Sequence, residues 1–386
     1  MTERVLITGA RAAAALDLAR DFRAAGWDVH LADCARARIS RWSGVGRVHR
    51  YPSPVNQPDA FRRRVVELAN QLEPRLIVPT CEEAFHLAAP SLRNHLAGRL
   101  FQPPLESLRT LHDKYTFARL GEALGLPTPE TRLLARSADL AAYAGDSEAW
   151  VFKPRFSRFG ESACVGPPAD RLGKLAITPN RPWIAQRRIR GVETSFYAVA
   201  REGRLTAFAS YRSDWRLKGG ASMAFIALGA RQDAALRDLA GRIVARLSIT
   251  GQIACDAIFD HGGQAWLIEC NPRATSGVHF LSGEGALARA ISGGSATSAS
   301  LPATRIHLLP VMLSFGLLHA VRRGRIGEWF AAVRAGHDAI GRPGDRGPAI
   351  GALIDGCGYA LSGLLRGMST SAMTTADIEW NGEVLA

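Results

Sequence analysis

The feature that most constrains this 386-residue chain is a pair of apolar segments, GQIACDAIFD (251–260) and AWLIECNPRATSG (265–277), joined through a polar, glycine-containing turn at 260–263. Two such runs predict a buried antiparallel hairpin, and a buried hairpin ordinarily carries few polar side chains. Here they cluster. Glu269 and Asn271 stand two apart and project from one face of their strand, and the hairpin brings Asp256 of the preceding strand beside them. Two carboxylates and an amide oxygen at one strand end suit a hard cation of the Mg²⁺ type, whose shell phosphate oxygens can complete. Arg273 follows at once and can hold a phosphate or a carboxylate through two parallel hydrogen bonds. A polar turn on a buried hairpin explains Glu269 alone equally well; it does not explain the whole set.

In these residues, Asp256, Glu269, Asn271, Pro272 and Arg273, the chain resembles the ATP-grasp superfamily, whose second nucleotide-binding lobe carries an E-x-N-P-R metal motif after an acidic or amide residue on the neighbouring strand. Upstream, LHDKYTFARLGEALGLPTPET looks like the family's opening segment, with Lys114 matching its first ATP-binding lysine. WVFKPRFSRFGES looks like the strand and loop of the second lysine, Lys153, and IAQRRIRGVETS resembles the hinge strand. The four motifs occur in the family's order and at its spacing, roughly over residues 105–290.

The resemblance implies an ATP-grasp fold of mixed α/β and α+β character and an ATP-dependent carboxylate–amine ligase. Gln186, Arg187, Arg188 and Ile189 would line the adenine pocket, and Glu193 would meet the ribose. Ser157 and Gly160 would lie in a loop closing over the phosphates. Asp256, Glu269 and Asn271 would hold Mg²⁺, with two ions expected, while Lys114, Lys153, Arg273 and Lys218 act on the phosphates and the transferred group. A carboxylate would attack the γ-phosphate to give an acyl phosphate and ADP, and an amine would displace phosphate. Small acids and amines, amino acids by default, are the implied substrates. A carboxylase-like or phosphotransfer reaction on the same scaffold is the alternative among enzymes, and a non-catalytic nucleotide-binding protein the alternative outside them. The loop at 155–162 has only Gly160 where many relatives use several glycines, so closure would lean on side chains. After Arg273, Ser276 stands where some carbamoyl-phosphate-synthase-like relatives carry a further arginine, which favours an organic carboxylate over bicarbonate.

Length alone predicts two or three domains. VLITGA, a helix to about residue 25, DVHLAD, a helix over 59–72, LIVPT, a third helix through His86 to His95 and RLFQPP alternate strand with helix, which predicts a doubly wound parallel sheet over residues 1–104. The TGARAAAA turn lacks the glycines of a dinucleotide site. Glu82 and Glu83 follow a strand end where open α/β sheets bind ligands, so they are substrate candidates; they could equally favour the start of the next helix. Residues 105–182 read as a small lobe, where Lys153 lies in an apolar strand and needs an anion to be buried. Residues 183–300 read as a larger lobe with a helix over 233–247. Within it, Arg212, Arg216, Lys218, Gly219, Gly220 and Ser276 are candidates for substrate contact, although 212–220 could also be an exposed turn.

Residues 301–386 read as a helical extension that shapes the pocket or makes a homodimer contact, ending in a short hairpin or strand. LLPVMLSFGLLHA is too short for a membrane span, so no span is expected. Six cysteines without a C-x-x-C pair argue against zinc and disulfides, and the N-terminus shows no export pattern. A cytoplasmic setting is expected. Net charge is +13, but the arginines are dispersed and no reading module accompanies them, so nucleic acid is not an expected partner.

Overall fold

The computed structural model describes residues 2–158, 162–216, 222–293 and 304–385. The first part alternates β1 (Arg4–Thr8), α1 (Ala13–Ala24), β2 (Asp28–Asp33), α2 (Arg38–Arg41), β3 (Arg47–Arg50), α3 (Pro58–Leu72), β4 (Leu76–Val78), α4 (Glu83–Leu87) and α5 (Pro90–Leu96). Its strands pair in parallel in the order β3-β2-β1-β4. Three details depart from the periodicity. Strand β3 is a half-exposed edge strand whose RVHR sequence has no apolar run to announce it. RLFQPP supplies only a bridge from Leu100 to Ile77. The third helix is broken at Pro90, which cannot continue the preceding turn.

Next come α6 (Leu105–His112), α7 (Lys114–Ala123), β5 (Thr131–Leu134), β6 (Trp150–Pro154), β7 (Cys164–Val165), α8 (Ala169–Leu172) and β8 (Trp183–Arg187). The four strands form an antiparallel sheet in the order β5-β8-β6-β7. Residues 183–187, read from sequence as the start of the larger lobe, therefore lie inside the smaller sheet, with backbone partners on both sides.

The larger sheet starts with β9 (Gly191–Arg201), β10 (Arg204–Arg216) and β11 (Ser222–Ala227), and after α9 (Ala230–Arg246) continues with β12 (Gly251–Asp260) and β13 (Ala265–Asn271). Helices α10 (Val278–Leu281) and α11 (Ala286–Ser292) follow. The C-terminal stretch is not purely helical: β14 (Arg305–His307) and β15 (His337–Asp338) extend this sheet to the order β13-β12-β9-β10-β11-β14-β15. The free backbone edge of β11 explains why a strand is added there. The rest is α12 (Leu309–Val311), leading through a π-helical turn (Met312–Gly316) into α13 (Leu317–Arg322), then α14 (Ile326–Ala335), α15 (Gly347–Arg366) and α16 (Thr370–Met373). The tail that sequence reads as a hairpin or strand is neither; it crosses the first domain in turns.

Strand alternation gives the larger sheet two different faces. Phe196, Ala198, Ile253 and Cys255 pack against Leu236, Ala240 and Ile243 of α9. Tyr197, Tyr211 and Ala254 point the other way, into a core shared with Leu16, Phe22 and Phe280. Polar ties fix the same junction. Gln252 donates from Nε2 to the Pro79 carbonyl at 2.8 Å and accepts from the Tyr197 hydroxyl at 2.7 Å. His279 Nδ1 lies 2.7 Å from Asp17. The Asp21 carboxylate accepts from the backbone N–H groups of Gly283, Gly285 and Ala288 at 2.6, 3.2 and 2.7 Å.

Removing the Asp21 carboxylate would strand those buried donors. Asp21→Ala should lower stability by about 2 kcal/mol, the cost of leaving buried donors unpaired, seen as a lower urea midpoint; an unchanged midpoint would contradict this account.

Candidate active site

The cleft between the two sheets is lined by whatever each strand does not bury in its own core. In β6 and β8, Trp150, Phe152, Trp183 and Ala185 form the small-lobe core, so alternation turns Lys153, Ile184 and Gln186 to the opposite face. Lys153 is 6% exposed, and burial pushes its ammonium pKa down to about 8 although Glu269 opposes the shift. Its Nζ lies 3.4 Å from the Ile268 carbonyl and 3.8 Å from Glu269. Lys114, in the first turn of α7, donates from Nζ to the Ser157 carbonyl at 2.8 Å and lies 3.4 Å from Glu269. One carboxylate on the large sheet thus receives a lysine from the small sheet and another from the helix in front of it.

Asp256 and Glu269 are direct partners across β12 and β13, with a bulge following Asp256 that tilts the next residues. Burial and the Glu269 charge push the Asp256 carboxyl up to about 7, while Ser195 Oγ donates to it at 2.6 Å. Burial would also raise Glu269, but Lys114 and Lys153 outweigh it and hold the group down at about 2. The raised Asp256 and the lowered Glu269 titrate as a pair, whose shared proton is held more tightly than a lone carboxyl holds its own. Two adjacent carboxylates held apart in charge by a proton, with the Asn271 amide at the same strand end, form a hard oxygen donor set that fits Mg²⁺ once the proton leaves.

The first domain closes the far side. Glu82 is 1% exposed and, against its burial, is held down at about 2 by Arg158, with His112 and Arg273 adding to the effect. Arg158 Nε donates to Glu82 at 2.5 Å, and its other nitrogens bond the Trp380 carbonyl at 2.6 Å and Asn381 at 2.8 Å. Arg273 lies 4.0 Å from Glu82 and 3.5 Å from the Asn271 side-chain oxygen. Arg158, in the described part of the loop expected over the phosphates, is thereby fastened to the first domain and to the C-terminal tail.

Other sequence candidates fall as follows. Gln186 is buried and donates to Thr131 Oγ1 at 3.0 Å. Arg187 reaches outward to Asp146 at 3.4 Å and lies over Trp150, so its side chain leaves the cleft. The Arg188 N–H donates to the Ala149 carbonyl at 2.8 Å; Arg188 and Ile189 are half-buried in the connection to β9. Glu193 is exposed and paired with Arg216 on the Ser195 side of the sheet, and the Arg216 charge reaches Asp256. Arg212 emerges on the opposite face from Tyr211 and Ser195, away from the carboxylates, because strand alternation sends it there. Glu83 is also displaced from its substrate role: it is fully buried and accepts from Thr8 Oγ1 at 2.7 Å, tying β1 to the turn after β4. Ser276 is half-buried, its carbonyl accepting from the His279 N–H at 3.2 Å. Gly160, Lys218, Gly219 and Gly220 lie outside the described residues.

The sequence reading missed three supporting groups. Asp113 caps α7 by accepting from the Tyr115 N–H at 3.0 Å and from Arg155 Nε at 2.8 Å, which fixes both Lys114 and the loop root; an Asp just before a helix was a legible signal. Ser195 and the Arg158–Glu82 contact had none, since their partners lie 61 and 76 residues away.

Residues 111–277 match the sequence model of the family described as ATP-grasp domain. Among solved structures, an ADP complex of N5-carboxyaminoimidazole ribonucleotide synthetase superposes with a TM-score of 0.64 at 16% identity, over 83% of this chain and 85% of that one. Phosphoribosylamine–glycine ligase of Thermotoga maritima gives 0.59 at 16%, over 77% and 78%. L-amino acid ligase of Bacillus licheniformis gives 0.56 at 16%, over 73% and 71%. Likeness at that identity speaks to the fold. No curated protein sequence matches the chain.

A cation entering this site must displace the Asp256 proton, because that group is raised and binds metal only when ionised. Affinity for Mg²⁺ or Mn²⁺ in the presence of ADP should therefore rise with pH through about 7 and level off above it. Asp256→Asn should flatten that dependence and weaken binding about tenfold or more. Calorimetric titration between pH 6 and 8 measures both, and a pH-independent affinity in the unaltered protein would refute the shared-proton account.

Proposed function

We propose that this chain, built around the ATP-grasp domain of residues 111–277, is an ATP-dependent carboxylate–amine ligase that forms an amide or peptide bond through an acyl phosphate and releases ADP and phosphate. The observation that carries the reading is the Lys114–Glu269–Lys153 bridge beside Asp256 and Asn271. Bringing in a metal-bound triphosphate exchanges partners without leaving a buried charge bare: the cation replaces the ammonium groups at Glu269, and phosphate oxygens replace Glu269 at the lysines. A site of this charge pattern has matched halves waiting for a cation and a polyanion.

Asp256, Glu269 and Asn271 would hold the Mg²⁺, which when bound neutralises charge on the bridging phosphate oxygens. Lys153 from the smaller sheet and Lys114 from α7 would orient the phosphates, and Arg273 would steady the transferred group or the substrate carboxylate. Attack by that carboxylate oxygen on the γ-phosphorus forms the acyl phosphate and breaks the β–γ bridge; attack by a neutral amine on the acyl carbon then expels phosphate and makes the amide. Arg158, tied to Glu82 and the tail, would keep the loop over this intermediate and water away from it. Amino acids and small carboxylic acids are the proposed substrate class.

Purified protein supplied with ATP, Mg²⁺ and a panel of amino acids should release ADP and phosphate together with a coupled product. Exclusive AMP formation would overturn the acyl-phosphate route, and turnover that depends on bicarbonate alone would favour the carboxylase-like reading. Glu269→Gln should cut kcat by about a hundredfold or more and, because Lys114 and Lys153 lose their counter-charge, lower the melting temperature as well, with the far-UV circular dichroism of the folded protein retained.

A further inference from the structure

Helix α15 (Gly347–Arg366) has two unlike faces. The inner one is made of small and polar residues four apart. A Cβ on Gly347 would strike the Trp42 carbonyl and one on Gly351 the Arg38 carbonyl, so the backbone of α15 is seated on α2. One turn further, Asp355 accepts from the Arg38 N–H and from its guanidinium, both at 2.7 Å. By length and composition this is the one helix among the described residues apolar enough to cross a membrane. Sequence reading had looked for such a segment around LLPVMLSFGLLHA instead. Its attachment along α2, through close backbone contact and an ion pair, makes it instead a surface helix of the first domain.

The outer face is apolar and open. Ile350, Leu353, Ile354, Cys357, Leu361, Leu364, Leu365 and Met368 are all exposed, Leu364 and Leu365 at 81% and 80%. Their order has two properties. Ile350, Ile354, Cys357, Leu361, Leu364 and Met368 follow steps of four and three, the spacing of a helix–helix seam. The stripe is also nearly the same read from either end about Cys357: Ile350 corresponds to Leu364, Leu353 to Leu361 and Gly356 to Gly358. A two-fold contact requires this self-complementarity, because each residue meets its counterpart in the other copy.

We propose that the outer face of α15 is a self-association surface on which α15 of a second copy lies antiparallel, crossing at Cys357. Bulky side chains fill the seam on either side of the crossing. A helix of this length runs about 30 Å. Two such helices packed along their length bury on the order of 1,200 Å², the lower end of what a stable interface needs. The surface lies on the first domain's α2 side and carries none of the cleft residues, so the inference is independent of the proposed ligase activity.

The full-length protein should sediment as a dimer at micromolar concentration. Mild oxidation with copper phenanthroline, or a short bis-maleimide, should link Cys357 to Cys357, giving twice the chain mass on a denaturing gel. Cys357→Ser should abolish the link while sedimentation still shows a dimer. Leu361→Glu, at an exposed position where folding is not at risk, should give a monomer with unaltered ATP turnover and melting behaviour. A monomer in the unaltered protein would overturn the proposal, as would a dimer indifferent to Leu361→Glu. Cosedimentation of the unaltered protein with anionic phosphatidylserine vesicles, lost in Leu361→Glu, would also overturn it by assigning the face to a lipid surface.

Discussion

The structure is organised around one half-buried negative charge held between two positive ones. Glu269 lies 3.4 Å from Lys114 and 3.8 Å from Lys153, and each of these charges, withdrawn from water, needs an opposite one beside it. A lysine buried in an apolar strand needs an anion, and a glutamate beside a second carboxylate needs cations. Because Lys153 comes from the smaller sheet and Glu269 from the larger, satisfying the charges also brings the two sheets face to face, while Lys114 comes from α7, whose Phe117 packs in the core of the larger sheet. The cleft and its electrostatics are thus one constraint.

Everything else holds that bridge in register. Asp113 caps α7 and anchors Arg155, fixing where Lys114 starts. The hairpin β12–β13 is held on one side by the α9 core and on the other by the first domain through Gln252, and Asp17 and Asp21 tie the helices that follow it to the same domain. The tail adds a third restraint, since Trp380 stacks on Phe85 with ring centroids 4.7 Å apart and its carbonyl accepts from Arg158. A segment that looked peripheral in sequence is therefore part of the wall of the cleft. The outer face of α15, by contrast, is exposed and uncovered among the described residues, and the order of its residues suits a surface that meets its own copy.

Much of this was legible in the sequence, for reasons that can be named. Glu269, Asn271 and Asp256 were readable because strand alternation and a short turn place them together whatever the rest does. The alternation of strands and helices over the first hundred residues announced a parallel sheet, although β3 escaped notice for want of an apolar run. Less was legible where a residue's partner is remote. Glu83 and Arg212 carry the right chemistry for substrate binding, yet one is turned inward to Thr8 and the other emerges on the α9 side. The strand of residues 183–187 was assigned to the wrong sheet because nothing local distinguishes one antiparallel neighbour from another.

By itself, then, the sequence determined most elements of the first domain, the donor types and the short-range geometry: which residues share a strand face, and that two carboxylates and an amide oxygen meet at one strand end. Only the tertiary structure decided which lysines face Glu269, that Arg158 fastens the loop to Glu82, and that β14 closes the open edge of the larger sheet. The physical reason is range. Backbone periodicity and capping act over a few residues, whereas burying a charge is feasible only beside a partner that the fold brings from many tens of residues away.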